Sequence, residues 1–147
     1  MLKCTIRDIT IRDSLALQDI YAHMHPKDPE VSEPAFRNAL ALAIDDPMQH
    51  IIVGELDGPI VAVCTVYILP NLTRGCRPFG LIENVVTHRD HRRLGFGRQV
   101  LAEASERAKR FGCYKLMLMT GSKRAEVRAF YEAAGFKQNK TGFQIRY

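Results

Sequence analysis

The spacing of hydrophobic residues changes several times along the chain, and each change predicts a new element. Residues 3–11 alternate weakly between apolar and polar positions, which predicts a first strand. Asp13 or Ser14 then caps a helix, because apolar residues recur at the i, i+3, i+4, i+7 spacing until Pro26. The apolar face of this helix consists of Leu17, Ile20, Tyr21 and Met24.

The middle of the chain predicts a second helix followed by a hairpin. The helix begins after a cap at Ser32, carries apolar residues on one face and ends at Pro47. Two runs rich in β-branched residues, 51–56 and 60–69, are joined by an Asp-Gly-Pro turn and predict a pair of strands. Residues 80–87 predict a further strand.

The C-terminal part continues the alternation of helices and strands. A long amphipathic helix is predicted over 97–111, ended by a glycine, and a nearly all-apolar strand over 115–120. A last helix with a hydrophobic stripe ends at Gly135, and the tail 143–147 has the alternation of a final strand. We therefore expect one α/β domain over residues 1–147.

Composition narrows the class of protein further. The chain has 147 residues, of which 46% are hydrophobic and 25% charged, as in an ordinary globular domain. It has no apolar run long enough to span a membrane and no signal-peptide core near its start, so we expect a cytoplasmic protein that is not bound to membranes. The four cysteines are far apart and are expected to be reduced thiols.

The net charge of +5 is concentrated in one segment. The densest basic run extends from Arg89 to Arg98, and elsewhere basic and acidic residues are interleaved. No nucleic-acid motif is present, so we expect no nucleic-acid partner. His88 and His91 lie in this run, but no ligand set of usual spacing accompanies them, and we expect no metal site.

This basic run contains a turn suited to a phosphorylated ligand. A strand leads into it and an amphipathic helix follows, so the positive end of the helix would face the turn. Gly95 and Gly97 allow backbone amides to approach an anion closely, and Arg92, Arg93 and Arg98 add positive charge. The P-loop string is absent, and the third glycine of a dinucleotide-binding motif is missing.

Two motifs resemble those of the GCN5-related N-acetyltransferase (GNAT) superfamily. Arg92-x-x-Gly95-x-Gly97 matches its (Gln/Arg)-x-x-Gly-x-(Gly/Ala) motif, and residues 129–136 are similar to its second hallmark, an aromatic pair followed by Gly-Phe. The resemblance covers residues 81–136. It implies a mixed α/β fold with a mostly antiparallel central sheet flanked by helices, and acetyl-CoA as co-substrate.

The resemblance also implies a role for each part of the site. Backbone groups of one strand segment would pair with the pantetheine arm of acetyl-CoA: Val85, Val86 and Thr87. The turn would hold its pyrophosphate: Arg92, Arg93, Leu94, Gly95, Phe96, Gly97 and Arg98. Tyr131 would donate a proton to the departing thiolate, since a phenol is neutral at pH 7. Glu83 is the candidate base that takes the proton of the amine, and His88 is a weaker one.

The acceptor is less well defined by the sequence. Residues 112–116, 144–147 and 82–86 are similar to glucosamine-6-phosphate N-acetyltransferases, although Asn84 and residues 119–122 replace acidic positions. We expect a small-molecule primary amine as the acceptor. A protein lysine or N-terminal acetyltransferase and a non-catalytic acyl-CoA sensor remain alternatives.

Two further expectations concern the surroundings of the acceptor and the assembly. The segments expected to line the acceptor pocket are 23–29, Tyr67 and 71–77, where Arg74 and Arg77 would suit a carboxylate or phosphate. The strand-like tail would support a homodimer, because the family often pairs through its C-terminal strands.

Overall fold

The computed structural model describes residues 2–147. Nine regular elements follow one another: β1 (Thr5–Asp8), α1 (Ser14–Ala22), α2 (Glu33–Asp45), β2 (Gln49–Glu55), β3 (Ile60–Leu69), β4 (Phe79–Thr87), α3 (Phe96–Arg110), β5 (Leu116–Leu118) and α4 (Ala125–Ala133). Short 3-10 turns at Ile11–Asp13 and Arg89–His91 precede α1 and follow β4. The predicted order of helices and strands is confirmed as far as α4.

The strands form one sheet in the order β1-β2-β3-β4-β5. The first three pairings are antiparallel, and β4 pairs with β5 in parallel. A parallel pair needs a crossover connection, which α3 provides. The expected mixed α/β architecture with a mostly antiparallel sheet is therefore confirmed.

Helices cover both faces of the sheet and create two hydrophobic cores. Successive side chains of a strand point to opposite faces, so Val63 of β3 packs towards α1 and α2, whereas Cys64 packs towards α3. Phe96 and Leu101 of α3 are fully buried in the second core. Because both faces are covered, β3 is apolar almost without interruption, and so is the middle of β2 from Ile51 to Val53.

The first strand ends earlier than the sequence predicts because a polar network interrupts it. Arg7 of β1 pairs with Asp13 at 2.8 Å and with Glu55 at 2.7 Å. Asp13 also accepts hydrogen bonds from the backbone N–H and the hydroxyl of Thr10, which turns the chain into the 3-10 segment before α1. The guanidinium of Arg7 lowers the pKa of Asp13 to about 2. Asp13 therefore precedes α1 without a side-chain cap bond to it.

The strand predicted over 143–147 is wrong. The chain after α4 has no regular element, and Phe143 and Ile145 are 93% and 79% exposed. Strand propensity stabilises a strand only where its backbone pairs with another strand, and this tail is not paired with any of the five strands within residues 2–147. None of the helices in that range is both long and apolar enough for a bilayer span.

Candidate active site

A bulge in β4 sets the shape of the candidate site. Val63 of β3 lies opposite Val86 of β4, and Thr65 lies opposite Glu83. One residue separates the two positions on β3, whereas two residues separate them on β4. The extra residue is accommodated at Asn84, whose φ of +54° lies in the left-handed region. A bulge bends its strand and increases the local twist. β4 is therefore bent directly before the segment predicted to hold the pantetheine arm.

Beyond the bulge, one edge of β4 is open. The parallel pairing with β5 ends at the pair Ile82 and Leu118. Val86 and Thr87 still pair with β3 on the other side, so β4 remains an ordered strand with free backbone groups along this edge. Such an edge is a template for an extended ligand that carries amide groups. The predicted positions Val85, Val86 and Thr87 all lie along it.

The open edge leads directly to the N-terminus of α3. Gly95 caps this helix with φ +87°, a left-handed conformation that favours glycine. The N–H groups of Phe96, Gly97 and Arg98 belong to the first turn and lack intrahelical partners. The Phe96 side chain is fully buried in the core, so it anchors the helix while its backbone faces the turn. The helix dipole and these donors favour an anion here.

Four arginines surround this helix end, and no carboxylate of residues 2–147 pairs with them. Arg89, Arg92, Arg93 and Arg98 are exposed and take part in no ion pair in that range. The only side-chain hydrogen bond of Arg92 within the same range is from its Nε to the carbonyl of Thr87 at 3.4 Å. Their positive charge is therefore available to an anionic ligand.

Gly97 connects the two sequence motifs in space. A Cβ at this position would lie 2.9 Å from Oγ1 of Thr87 and 3.1 Å from Cζ of Phe130. Only a glycine allows the end of β4, the start of α3 and the ring from α4 to come this close. The motif spacing in the sequence thus corresponds to a direct packing contact.

Tyr131 lies beside the same contact on α4. Its half-buried ring has the ring of Phe130 at 5.0 Å and that of Phe136 at 6.3 Å, measured between centroids. Burial raises the pKa of Tyr131, and the thiol of Cys64 and the carboxylate of Glu83 raise it further. The hydroxyl is therefore protonated at neutral pH and able to donate.

Glu83 is exposed, although its strand is otherwise largely apolar. It faces Thr65 of β3 immediately before the bulge and forms no ion pair with the chain between residues 2 and 147. Burial raises the pKa of Tyr67, and the negative charge of Glu83 raises it further. Glu83 and Tyr131 also interact electrostatically, so the fold brings the two predicted groups into one region.

One tyrosine of this region was assigned only a packing role by its sequence pattern. Tyr21 of α1 hydrogen-bonds to Thr65, and burial raises the pKa of Tyr21 to about 12. Tyr67, which is expected to line the acceptor pocket, accepts a hydrogen bond from Gln49 at 3.3 Å. These hydroxyl groups lie on the same side of the sheet as Glu83. In the sequence, the only sign of this polar role was the hydroxyl of Tyr21 within the otherwise hydrophobic stripe of α1.

Arg74 and Arg77, which are expected to bind an acceptor anion, make contacts within the chain instead. Arg77 donates to the carbonyl groups of Gly112 and Cys113, both at 3.1 Å, just beyond the C-terminal end of α3. Arg74 lies over the ring of Tyr114. Both contacts are at the end of β4 opposite the glycine turn. These guanidinium groups therefore stabilise the loop and the helix end.

A cluster of possible metal ligands lies next to the glycine turn, although none was expected. Asp19 of α1 and His23, which directly follows this helix, approach His88, and the ligand atoms of the three residues lie within 4.8 Å of one another. A cavity of about 440 Å³ beside them is also lined by Arg89 and Arg92. The i, i+4 spacing of Asp19 and His23 was visible in the sequence, but His88 is far away along the chain.

A solved structure of another protein shares this fold. A putative acetyltransferase from Agrobacterium tumefaciens superposes with a TM-score of 0.94 and is 43% identical, over 97% of this chain and 99% of that one. The strand, turn and helix arrangement described above is thus part of a fold seen in another protein over nearly its whole length.

Curated relatives and a family model agree with this likeness. A glucosamine 6-phosphate N-acetyltransferase from Trypanosoma brucei brucei is 35% identical over 88 residues, which are 60% of this chain and 58% of that relative. An aminoalkylphosphonate N-acetyltransferase from Salmonella typhimurium is 26% identical over 140 residues, 95% of this chain and 89% of that one. The model of the acetyltransferase (GNAT) family matches residues 14–136, and the chain therefore belongs to that family.

Proposed function

We propose that residues 1–147 form one N-acetyltransferase domain that moves an acetyl group from acetyl-CoA to the primary amine of a small molecule. The observation that carries the proposal is the open edge of β4 beyond Ile82, which leads to the N-terminus of α3. An extended amide-bearing arm fits the edge, and a pyrophosphate fits the helix end. The family membership supports acetyl-CoA as the ligand with both features.

Each part of acetyl-CoA is assigned to the part of the site whose hydrogen-bonding groups and charge match it. Backbone groups of Val85, Val86 and Thr87 bind the pantetheine amides along the open edge. The turn from Arg92 to Arg98, including Leu94, binds the pyrophosphate through backbone N–H groups and free guanidinium groups. The thioester then lies near the bulge at Asn84, between Glu83 and Tyr131.

The reaction is a direct transfer. The amine nitrogen attacks the thioester carbonyl carbon, a C–N bond forms and the C–S bond breaks. Tyr131 donates its proton to the departing sulfur, and its raised pKa keeps that proton available at neutral pH. An alkylammonium group has a pKa of about 10.4, so Glu83 takes one proton from it, directly or through water, to give the neutral amine. The attacking nitrogen loses a second proton as the amide forms, and this proton returns through water to the phenolate of Tyr131. The exposed position of Glu83 supports this role because incoming amines can reach it.

We propose an acceptor that carries a phosphate or phosphonate group. The names of the two curated relatives share an amine and a phosphorus oxyanion, in a sugar phosphate and in an aminoalkylphosphonate. The free charge of Arg89 beside the cavity, which is outside the turn that binds the pyrophosphate, supports such a group. The basic surroundings disfavour the basic peptides that a protein lysine acetyltransferase binds, and a silent sensor would have no use for Tyr131 and Glu83.

The proposal also includes the location of the protein and its assembly. Cysteines at positions 4, 64, 76 and 113 are free thiols, which supports a reducing cytoplasmic location. The exposed apolar tail supports a homodimer in which the tail is covered by a second copy.

The substrate class is tested with paired amines. The purified chain is incubated with acetyl-CoA and either glucosamine-6-phosphate or 2-aminoethylphosphonate, and in parallel with glucosamine or ethanolamine, which lack the phosphorus group. Acetylated products are detected by mass spectrometry. We expect acetylation of a phosphorus-bearing amine and a much lower kcat/KM for its partner. Equal rates within each pair would contradict the anionic acceptor, and no product with bound acetyl-CoA would favour protein substrates or a sensor.

The role of Tyr131 is tested by Tyr131→Phe. We expect kcat to fall by about 10²-fold, the lower end for a general acid, because a thiolate is already a good leaving group. The KM for acetyl-CoA should stay the same, since the ring and its packing are kept. Tyr114→Phe, at the opposite end of the sheet, is the control and should keep the wild-type kcat. Unchanged turnover of Tyr131→Phe would remove this residue from the mechanism.

A further inference from the structure

The cluster of Asp19, His23 and His88 goes beyond acetyl transfer. We propose that these three side chains form a binding site for one divalent cation of the Zn²⁺ type. One carboxylate and two imidazoles supply one oxygen and two nitrogen ligands, a set that Zn²⁺ and similar first-row metals accept. Their ligand atoms already lie within 4.8 Å of one another. This site does not depend on the proposed acetyl transfer.

Two elements of the fold hold the three side chains together. Asp19 lies in α1 and His23 caps its C-terminal end with helical backbone angles, so the two residues, four apart, project from the same side of the helix. His88 follows the last residue of β4, and its ring centroid lies 4.3 Å from that of His23. The backbone N–H of Arg89 lies 3.3 Å from Nδ1 of His23, so the turn after β4 is close to the end of α1.

Only small side-chain movements are needed to reach metal-ligand distances. Zn²⁺ binds nitrogen or oxygen at about 2.0–2.2 Å, so tetrahedral ligand atoms lie about 3.3–3.6 Å apart. Rotations about side-chain torsions of exposed or half-buried residues can shorten the present spacing. The Nδ1 atoms of His23 and His88 now accept backbone hydrogen bonds at 3.3 Å, and such long bonds are weak and easily exchanged for a metal bond.

The surroundings leave the cation accessible. The cavity of about 440 Å³ beside the cluster opens the remaining coordination positions to water. Three protein ligands with an open position are typical of metal sites that bind a further ligand. Arg89 and Arg92 line the same cavity and repel a cation, while Asp19 offsets part of their charge. We therefore expect saturable binding weaker than that of a closed structural zinc site.

Cobalt provides a direct test because its absorption reports the ligand set. The full chain is freed of metal with a chelator, transferred to phosphate-free buffer and titrated with Co²⁺. We expect saturable visible absorption at one equivalent without the intense thiolate charge-transfer band, and displacement of this signal by Zn²⁺. Absence of saturable absorption, or a thiolate band, would overturn the site. The measurement involves no acetyl transfer, so its failure is distinct from failure of the proposed activity.

Variants identify the ligands. Asp19→Asn and His23→Ala should each weaken Co²⁺ binding at least tenfold, since even the loss of a supporting partner costs about 10- to 100-fold in metal affinity. His25→Ala is the matched control, because this neighbouring histidine is exposed and lies outside the cluster. Its Co²⁺ affinity should equal that of the wild type. Equal binding by all three variants, with circular dichroism showing intact folds, would overturn the assignment.

Discussion

At the scale of single residues, the backbone of Asn84 decides the course of β4. A left-handed conformation costs most residues about 1–2 kcal/mol, and asparagine visits it more readily than others. The φ of +54° at this position introduces the extra residue of the bulge. Without it, β4 would stay in register with β3 and would not bend beside the open edge.

Asn84→Val is expected to lower the free energy of unfolding by about 1–3 kcal/mol, because a β-branched residue is strained at positive φ. It should also raise the KM for acetyl-CoA, since the proposed pantetheine-binding groups of Val85 and Val86 follow directly. Asn84→Gly is the control, because glycine adopts this conformation freely. Urea unfolding and steady-state kinetics measure both quantities. A valine variant with wild-type stability and KM would show that the bulge is not maintained by this residue.

At the scale of elements, the end of α3 and the loop before β4 support each other. The carbonyl groups of Gly112 and Cys113, in the turn that follows α3, accept hydrogen bonds from Arg77. The adjoining strand β5 has only three residues, so little backbone pairing holds this edge. The guanidinium of Arg77 therefore compensates for a short strand.

Arg77→Ala is expected to reduce stability by about 1–2 kcal/mol, because it removes two hydrogen bonds that each contribute about 1 kcal/mol or less at an exposed site, and to lower Tm by about 2–8 °C. The KM of the acceptor should not change, because the side chain points to the helix end. Arg77→Lys separates charge from geometry: it keeps the charge but cannot donate to both carbonyl groups, and should also be destabilised. A raised acceptor KM in Arg77→Ala that Arg77→Lys restores would support the acceptor role inferred from the sequence.

At the scale of the whole molecule, the C-terminal tail is the least covered part. Phe143, Ile145 and Tyr147 alternate with polar residues, and all three side chains are almost fully exposed. In an extended segment, residues two apart share one face. This row of apolar side chains is available for burial between two copies of the chain.

The proposed homodimer predicts a specific response to charge in this row. Phe143→Lys and Ile145→Lys should each weaken dimerisation at least tenfold, because burial of one large apolar side chain contributes about 1.5–3 kcal/mol. Leu72→Lys is the control, since Leu72 is 90% exposed in a separate loop. Sedimentation equilibrium measures the dissociation constant. A monomeric wild-type chain, or equal weakening by all three variants, would contradict pairing through the tail.

The order of the helices and strands up to α4 could be predicted from the sequence, and so could the positions of the two motifs. Hydrophobic periodicity and helix caps depend on neighbours a few residues apart, so the apolar faces of α1 and α3 are encoded locally. The glycine turn is local in the same sense, because Gly95 caps α3 and precedes the free amides of the helix.

Only the tertiary structure decided which distant groups meet. The end of the β4–β5 pairing, the contact of Gly97 with Phe130, the Arg77 bonds and the cluster of Asp19, His23 and His88 all join residues far apart in the chain. The exposed position of Glu83 and the unpaired tail have the same origin. A side chain's propensity is a property of its own segment, whereas pairing and burial depend on the partner that the fold brings to it.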